Sequence, residues 1–236
     1  MSRRRWIADE VSGNRAALTG DHAKHLSRVL RARVGQEFEI VTGASVRSGR
    51  VISIDHERVE FELGEEITPS PTPNVTLALS IFKFDRMEWA IEKCTELGAT
   101  RIIPVLASRT EAHLAAAASK RVERWQRIAL QASEQSHRDS PPQIDQPVKL
   151  TEAVALPGTT RIVLAESEQQ VTLKEVLHDH PARDLVLAFG PEGGWTQAEL
   201  ELFRDAGWIS ASLGNTILRV ETAAIAALAV TLSEFA

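Results

Sequence analysis

Three prolines at alternating positions, in Thr68-Pro69-Ser70-Pro71-Thr72-Pro73-Asn74, constrain this chain of 236 residues more than any other feature. Proline removes a backbone donor and fixes φ, so the stretch enters neither a helix interior nor a central strand. Residues 68–74 read as a stiff, extended linker. The chain therefore divides into a unit at 1–67 and a larger one at 75–236, with enough length for two domains.

Upstream of the linker, Phe38–Val41, Val46–Ile54 and Val59–Leu63 are rich in Val, Ile and Phe. They are broken by Thr42-Gly43 and Asp55-His56-Glu57, which predicts three strands. Ahead of them, Asp21–Leu30 reads as a short helix with Ala23, Leu26 and Leu30 on one face. The expected unit is a small, mostly β barrel.

Downstream, strand and helix signals alternate. Strands are predicted at Val75–Ile81, Arg101–Leu106, Arg161–Ala165, Leu185–Phe189 and Ile209–Leu213. Helices are predicted at Asp85–Leu97, Ser119–Ser136, near Thr172–His178, after Thr196 and at Thr222–Leu232. Gly98 stops the first helix, and Thr196 with Glu199 makes a capping box for the fourth. Five strands alternating with helices predict an α/β unit with a largely parallel sheet covered on both faces.

Composition narrows the class. Apolar residues make up 43% and charged residues 25%, as in ordinary globular proteins. No apolar run approaches the roughly 20 residues that span a bilayer, so no membrane partner is expected. The basic start, Arg3-Arg4-Arg5, lacks the apolar segment of a secretory signal. A single cysteine, Cys94, excludes an intramolecular disulfide and points to a reducing, cytoplasmic compartment. The net charge of −5 is unevenly spread: residues 1–36 hold eight Arg/Lys against three Asp/Glu, and residues 37–67 the reverse. A basic end on an acidic chain either docks a polyanion in one orientation or is solvated surface.

Common catalytic motifs are missing. There is no G-x-x-x-x-G-K-[ST], G-x-G-x-x-G, H-E-x-x-H or G-x-S-x-G. His178 and His180 suit a surface or capping role at a helix end, so no metal site is expected. What remains is a pair of glycine turns, each after an apolar run and before a helix, the arrangement that holds ligands beside α/β sheets. In Gly190-Pro191-Glu192-Gly193-Gly194 the glycines admit close backbone approach and Pro191 stiffens the turn. Glu192 repels a phosphate, which disfavours pyrophosphate and suits ribose hydroxyls or a positive ligand; the alternative is a plain turn with Glu192 on the helix dipole. In the second turn, Leu213–Glu221, charged Arg219 and Glu221 alternate with apolar Ile217, Leu218 and Val220, as in a cleft for an adenine ring. The alternative there is an Arg219–Glu221 surface pair.

Taken together and in this order, Leu187-Ala188-Phe189-Gly190-Pro191-Glu192-Gly193-Gly194 and Leu213-Gly214-Asn215-Thr216-Ile217-Leu218-Arg219-Val220-Glu221-Thr222-Ala223 resemble a known family. So do His25–Arg31, Lys93–Gly98, Arg124–Ala129 and Glu134–Ser136, which extends the likeness over almost the whole chain. The sequence is similar to the SPOUT superfamily of knotted methyltransferases, and within it to the family that methylates N3 of a uridine in small-subunit (16S) ribosomal RNA. It departs at Asn215-Thr216, where many relatives carry Pro-Arg, and at Val220, where Thr is common. Altered loop detail and one fewer cationic contact are expected there.

The resemblance implies a PUA-like RNA-binding barrel, then an α/β domain whose last segment threads a trefoil knot, an exception to unknotted connection. It implies S-adenosylmethionine as cofactor, 16S rRNA or the small ribosomal subunit as partner, and a homodimer. The implied cofactor residues are Leu164, Ala165 and Glu166; Phe189, Gly190, Pro191, Glu192, Gly193 and Gly194; and Leu213, Gly214, Asn215, Ile217 and Leu218. Ile217 and Leu218 would meet adenine through backbone groups. Arg219 is the expected stabiliser of negative charge on the base, and Glu221 either orients Arg219 or accepts the N3 proton. Expected RNA contacts are Arg3, Arg4, Arg5, Arg28, Arg31 and Arg33 at the basic end, Lys83 and Arg86 after the first strand of the α/β unit, and His137 and Arg138 after the long helix, unless the last two are ordinary loop surface. Two alternatives stay open: a SPOUT methyltransferase for another rRNA or tRNA position, and a non-catalytic RNA-binding assembly factor.

Overall fold

The computed structural model describes residues 5–43, 45–55, 57–67, 72–136, 138 and 140–235. Arg3, Arg4 and His137 lie outside the described residues, as do residues 68–71 of the expected linker and the side chain of Arg5. Two compact units follow one another, residues 1–71 and 72–236.

The first unit contains β1 (Arg5–Ile7), β2 (Glu10–Ser12), β3 (Arg15–Thr19), β4 (Glu37–Val41), β5 (Val46–Ile54) and β6 (Arg58–Glu66). A short helix, α1 (Gly20–Lys24), runs into a π turn at His25–Val29. The strands form one sheet in the order β1-β4-β5-β6-β3-β2, antiparallel except for β1 on β4. Its two edges belong to one continuous segment: β1 pairs with β4, β2 pairs with β3, and between them Ala8 N donates to Val41 O while Asp9 N donates to Ala17 O. That change of partner curls the sheet upon itself, as expected of a small barrel. Period-two alternation turns Phe38, Ile40, Val59, Phe61 and Leu63 inward, where they bury Leu18, Ala23 and Leu26. Gly49 is required by this packing, since a Cβ there would lie 2.3 Å from Ile40 Cγ1.

The second unit alternates as expected, with more elements than the sequence indicated. In order they are β7 (Asn74–Ser80), α2 (Phe84–Leu97), β8 (Arg101–Leu106), α3 (Ala112–Ala117), α4 (Val122–Gln135), β9 (Gln143–Ile144), β10 (Val148–Lys149), α5 (Leu150–Val154), β11 (Thr160–Leu164), α6 (Leu173–Asp179), β12 (Asp184–Phe189), α7 (Gln197–Asp205), β13 (Ile209–Ala211) and α8 (Val220–Glu234). The seven-stranded sheet runs β10-β8-β7-β12-β11-β13, with β9 also on β8, and every pairing in it is parallel. β9 and β10 are two residues each, too short to leave an alternation in the sequence. A 3-10 turn at Ala118–Arg121 starts the predicted long helix later than expected.

Strand residues alternate between two cores, as a sheet covered on both faces requires. Leu77, Leu79, Ile162, Leu185, Leu187 and Phe189 join Met87, Trp125 and Leu228 on one side. Ala78, Val163, Val186 and Ala188 join Trp195, Phe203 and Trp208 on the other. Parallel register brings Leu164 opposite both Phe189 and Ala211, so three carboxyl ends finish together at one edge. The loops that follow them form the site. No helix among the described residues is long and apolar enough to cross a membrane.

Candidate methyl-donor site

A cavity of about 700 Å³ opens where those three loops meet, within the range of small-molecule sites, roughly 300–1,000 Å³. Its walls are residues 164–169, 189–191 with 193–195, and 211–218, closed by Arg109, Leu200, Val220 and Ala223. Every residue of the expected cofactor set except Glu192 lines it. Glu192 turns away, and its Oε1 accepts a hydrogen bond from Lys83 N at 3.3 Å.

The loops are tied to one another. Ala165 N donates to Ala211 O, Ser212 N to Val171 O, and Leu173 N to Ser212 O, which fastens the loop after β11 to the one after β13. The glycine turn is folded tightly: Gly194 N donates to Pro191 O at 2.8 Å, and a Cβ on Gly190 would lie 3.2 Å from Gly194 C and Trp195 N. Gly194 and Gly214 have φ of +67° and +113°, where glycine alone is unstrained. Trp195 Nε1 donates to Leu164 O at 3.1 Å, anchoring the end of the turn to β11.

The loop after β8 braces this turn, and sequence reasoning missed it. Arg109 Nη1 donates to the carbonyls of Gly193 at 2.5 Å and Trp195 at 3.3 Å. Its neighbour Ser108 donates its N–H to Glu199 Oε1 at 2.8 Å. Glu199 is also the reciprocal member of the expected capping box on α7: its Oε2 accepts from Thr196 N, and Thr196 Oγ1 accepts from Glu199 N. Burial pushes the Glu199 carboxyl up, but the bonds from Ser108 and Thr196 outweigh it and hold the group below its usual range. The only sequence signal is general: carboxyl ends of parallel strands share one edge, and the order β8-β7-β12 decides that the residues after Leu106 meet the glycine turn.

Arg219 and Glu221 do not face each other. Arg219 is the exposed N-cap residue of α8, and among the described residues its side chain makes no hydrogen bond or ion pair. Glu221 is buried in the first turn of α8, with Arg86 Nε 3.8 Å from its Oε1 and, among the described residues, no partner for its Oε2. Neither lines the cavity, although their neighbours Leu218, Val220 and Ala223 do. Of the expected RNA contacts, Arg28, Arg31 and Arg33 are exposed in the first unit, and Lys83 is exposed at the N-cap of α2. Arg138 is half-buried, its Nη1 donating to Thr95 O at 2.6 Å, and burial lowers its pKa. That guanidinium therefore fastens the end of α2.

The fold and the cavity are those of an RNA methyltransferase domain. A family model of that description matches residues 68–232, and one described as an RNA methyltransferase PUA domain matches residues 18–64. Ribosomal RNA small subunit methyltransferase E of Synechocystis sp. is 37% identical over 90% of this chain and 71% of its own. The protein of that name from Aquifex aeolicus is 29% identical over 95% of this chain and 97% of its own. Among solved structures, the Neisseria gonorrhoeae ribosomal RNA small subunit methyltransferase E bound to S-adenosylmethionine superposes with a TM-score of 0.62, at 32% identity over 98% of both chains. A Legionella pneumophila methyltransferase with the same bound cofactor gives 0.63, at 26% identity over 99% of this chain and 98% of its own. This chain belongs to the ribosomal RNA small subunit methyltransferase E family.

The residues present fit S-adenosylmethionine. Ile217 and Leu218 give an apolar wall with Ile217 81% exposed, and the glycine turn gives a backbone wall that a Cβ at Gly190 would crowd. Glu166 and Glu168 bring carboxylates that suit ribose hydroxyls or a sulfonium.

Proposed function

We propose that this chain transfers a methyl group from S-adenosylmethionine to N3 of one uridine in small-subunit (16S) ribosomal RNA, in the cytoplasm. The observation that carries the reading is the convergence of the loops after β11, β12 and β13 on one nucleoside-sized cavity, in a member of this family. In this reading residues 1–67 bind RNA, 68–74 link, and 75–236 carry out the transfer.

When bound, S-adenosylmethionine supplies an electrophilic methyl group. The chain's task is positioning, which accounts for much of the rate in an in-line displacement. Backbone groups of Ile217 and Leu218 hold adenine, and the turn at 190–194 holds the ribose and methionine side. Uridine N3 gives up its proton to solvent and takes the methyl group as the methyl–sulfur bond breaks; the uracil anion formed by that proton loss carries negative charge on its oxygens. Arg219, permanently charged and without a partner among the described residues, stabilises that charge. Glu221 holds Arg86 beside the first turn of α8.

A homodimer belongs to the same reading. α8 is apolar on nearly every side, and Thr222, Ala226 and Ala229 form a partly exposed stripe opposite the face packed on α2 and the sheet. The proposed knot is supported by connectivity: β13 lies at the sheet edge, while α8 packs over β7 and β12. An experimental structure with residues 213–219 outside the loop at 165–171, or a monomer at micromolar concentration, would contradict these two features. The functional reading itself is tested by calorimetry with S-adenosylmethionine and by labelled methyl transfer to small-subunit rRNA. Arg219→Ala is expected to bind the donor normally and to transfer poorly. Full transfer by that variant would contradict the role of Arg219.

A further inference from the structure

The cavity is electrically lopsided. Glu166 and Glu168 stand on the wall after β11, and Arg109, from the loop after β8, is the one basic side chain among its lining residues. Arg109 abuts the glycine turn, since a Cβ on Gly193 would lie 3.1 Å from Arg109 Cδ. Its Nη1 is committed to Gly193 O and Trp195 O, and no acidic side chain pairs with it among the described residues. A guanidinium is a five-donor fork, so bonds through one nitrogen leave donors on the others. The turn's carbonyls thus hold in place a charge that has no counter-ion among the described residues.

We infer that Arg109 receives the α-carboxylate of the methyl donor's methionine part, and so sets which end of the donor lies by the glycine turn. This rests on the methyl-donor reading of the cavity. S-Adenosylmethionine carries one anionic group, its carboxylate, and two cationic ones, the ammonium and the sulfonium. With the apolar wall at Ile217 and Leu218 taken by adenine, the amino-acid end lies by the turn at 190–194, where Arg109 stands. Carboxylate pairs well with a planar guanidinium, and the charge-assisted bond is stronger than a neutral one. The carboxylates of Glu166 and Glu168 would repel the same group, so the orientation is set from both sides.

The test is a two-by-two comparison of binding by calorimetry, independent of turnover. The ligands are S-adenosylhomocysteine and its carboxamide, with 5′-methylthioadenosine, which lacks the amino-acid part, as a third probe. The proteins are the wild type and Arg109→Gln, which keeps an N–H donor for the Gly193 carbonyl and loses the charge. The wild type is expected to prefer the acid over the carboxamide by about ten- to a hundredfold. Arg109→Gln is expected to lose that preference while binding 5′-methylthioadenosine like the wild type. Equal weakening of all three ligands would show that Arg109 only braces the turn, and would overturn the inference. Unchanged ligand binding with weaker rRNA binding would assign Arg109 to a phosphate and overturn it too. A wild type indifferent to the carboxamide overturns it without needing the variant to fold. A wild type that binds none of the three overturns the methyl-donor reading as well, a distinct result.

Discussion

Glu221 turns its carboxylate toward Arg86, 3.8 Å away on α2, and leaves Arg219 exposed at the end of its own helix. A buried carboxylate with one oxygen unpartnered among the described residues costs stability, and a task at the site would account for its presence. If that task is to hold Arg86 in place, Glu221→Gln and Arg86→Ala should each slow single-turnover methyl transfer, and the double variant should be little worse than either. The expected coupling is about 1–2 kcal/mol. Additive losses would show that the two residues act separately.

Glu199 joins α7 to the loop that carries Arg109. Its carboxyl titrates below the 4.5 of a free glutamate, so the folded state binds its proton more weakly than the unfolded state does. The stabilisation is therefore complete above about pH 4.5 and is lost as pH falls through the lower folded-state value. Thermal melts between pH 7 and 3 should show this loss in the wild type and a shallower one in Glu199→Gln. Glu199→Ala should cost about 1–3 kcal/mol at neutral pH, because the Ser108 N–H loses its partner and the helix its cap. An acid profile unaltered by the substitution would contradict the assignment.

At Gly190 a methyl group would meet the backbone of Gly194 and Trp195 at 3.2 Å, and backbone yields less readily than a side chain. Gly190→Ala is expected to lower stability by about 1–3 kcal/mol and to weaken S-adenosylmethionine binding at least tenfold in the fraction that folds. Equilibrium unfolding and calorimetry measure both. Normal affinity in the variant would mean that the turn does not shape the donor site.

Much of this architecture is legible in the residues. The buried strands at Leu185–Phe189 and Thr160–Leu164 are apolar on both faces, and the capping box at Thr196 and Glu199 marks the start of α7. Less visible are β1, β2 and β3, because β1 and β2 are three residues each and β3 opens on Arg15, Ala16 and Ala17, too short a run for alternation to show. The cavity walls after β12 and β13 follow from the glycine turns, whereas the wall after β11 has no glycine to mark it and comes from the family resemblance alone. Arg109 follows from neither, since nothing in Ser108-Arg109-Thr110 shows that it folds against Gly193 until the strand order is known. Likewise, sequence neighbours suggested an Arg219–Glu221 pair, but helical geometry points residues two apart in different directions.

Arg31 is the one non-glycine residue with positive φ among the described residues, at +50°, and it is exposed. An arginine held there is strained by about 1 kcal/mol. Arg31→Gly should therefore raise the unfolding free energy by about that amount, while lowering affinity for rRNA and reducing the slope of log affinity against log salt by about 1. Unchanged affinity and slope would remove Arg31 from the RNA contacts.

The account stands most directly on one product. Small-subunit rRNA from a strain lacking the gene, incubated with the protein and S-adenosylmethionine and then mapped by mass spectrometry, is expected to gain a single methyl group on N3 of one uridine. No transfer, or a methyl group on another atom, on tRNA, or scattered over many uridines, would contradict it.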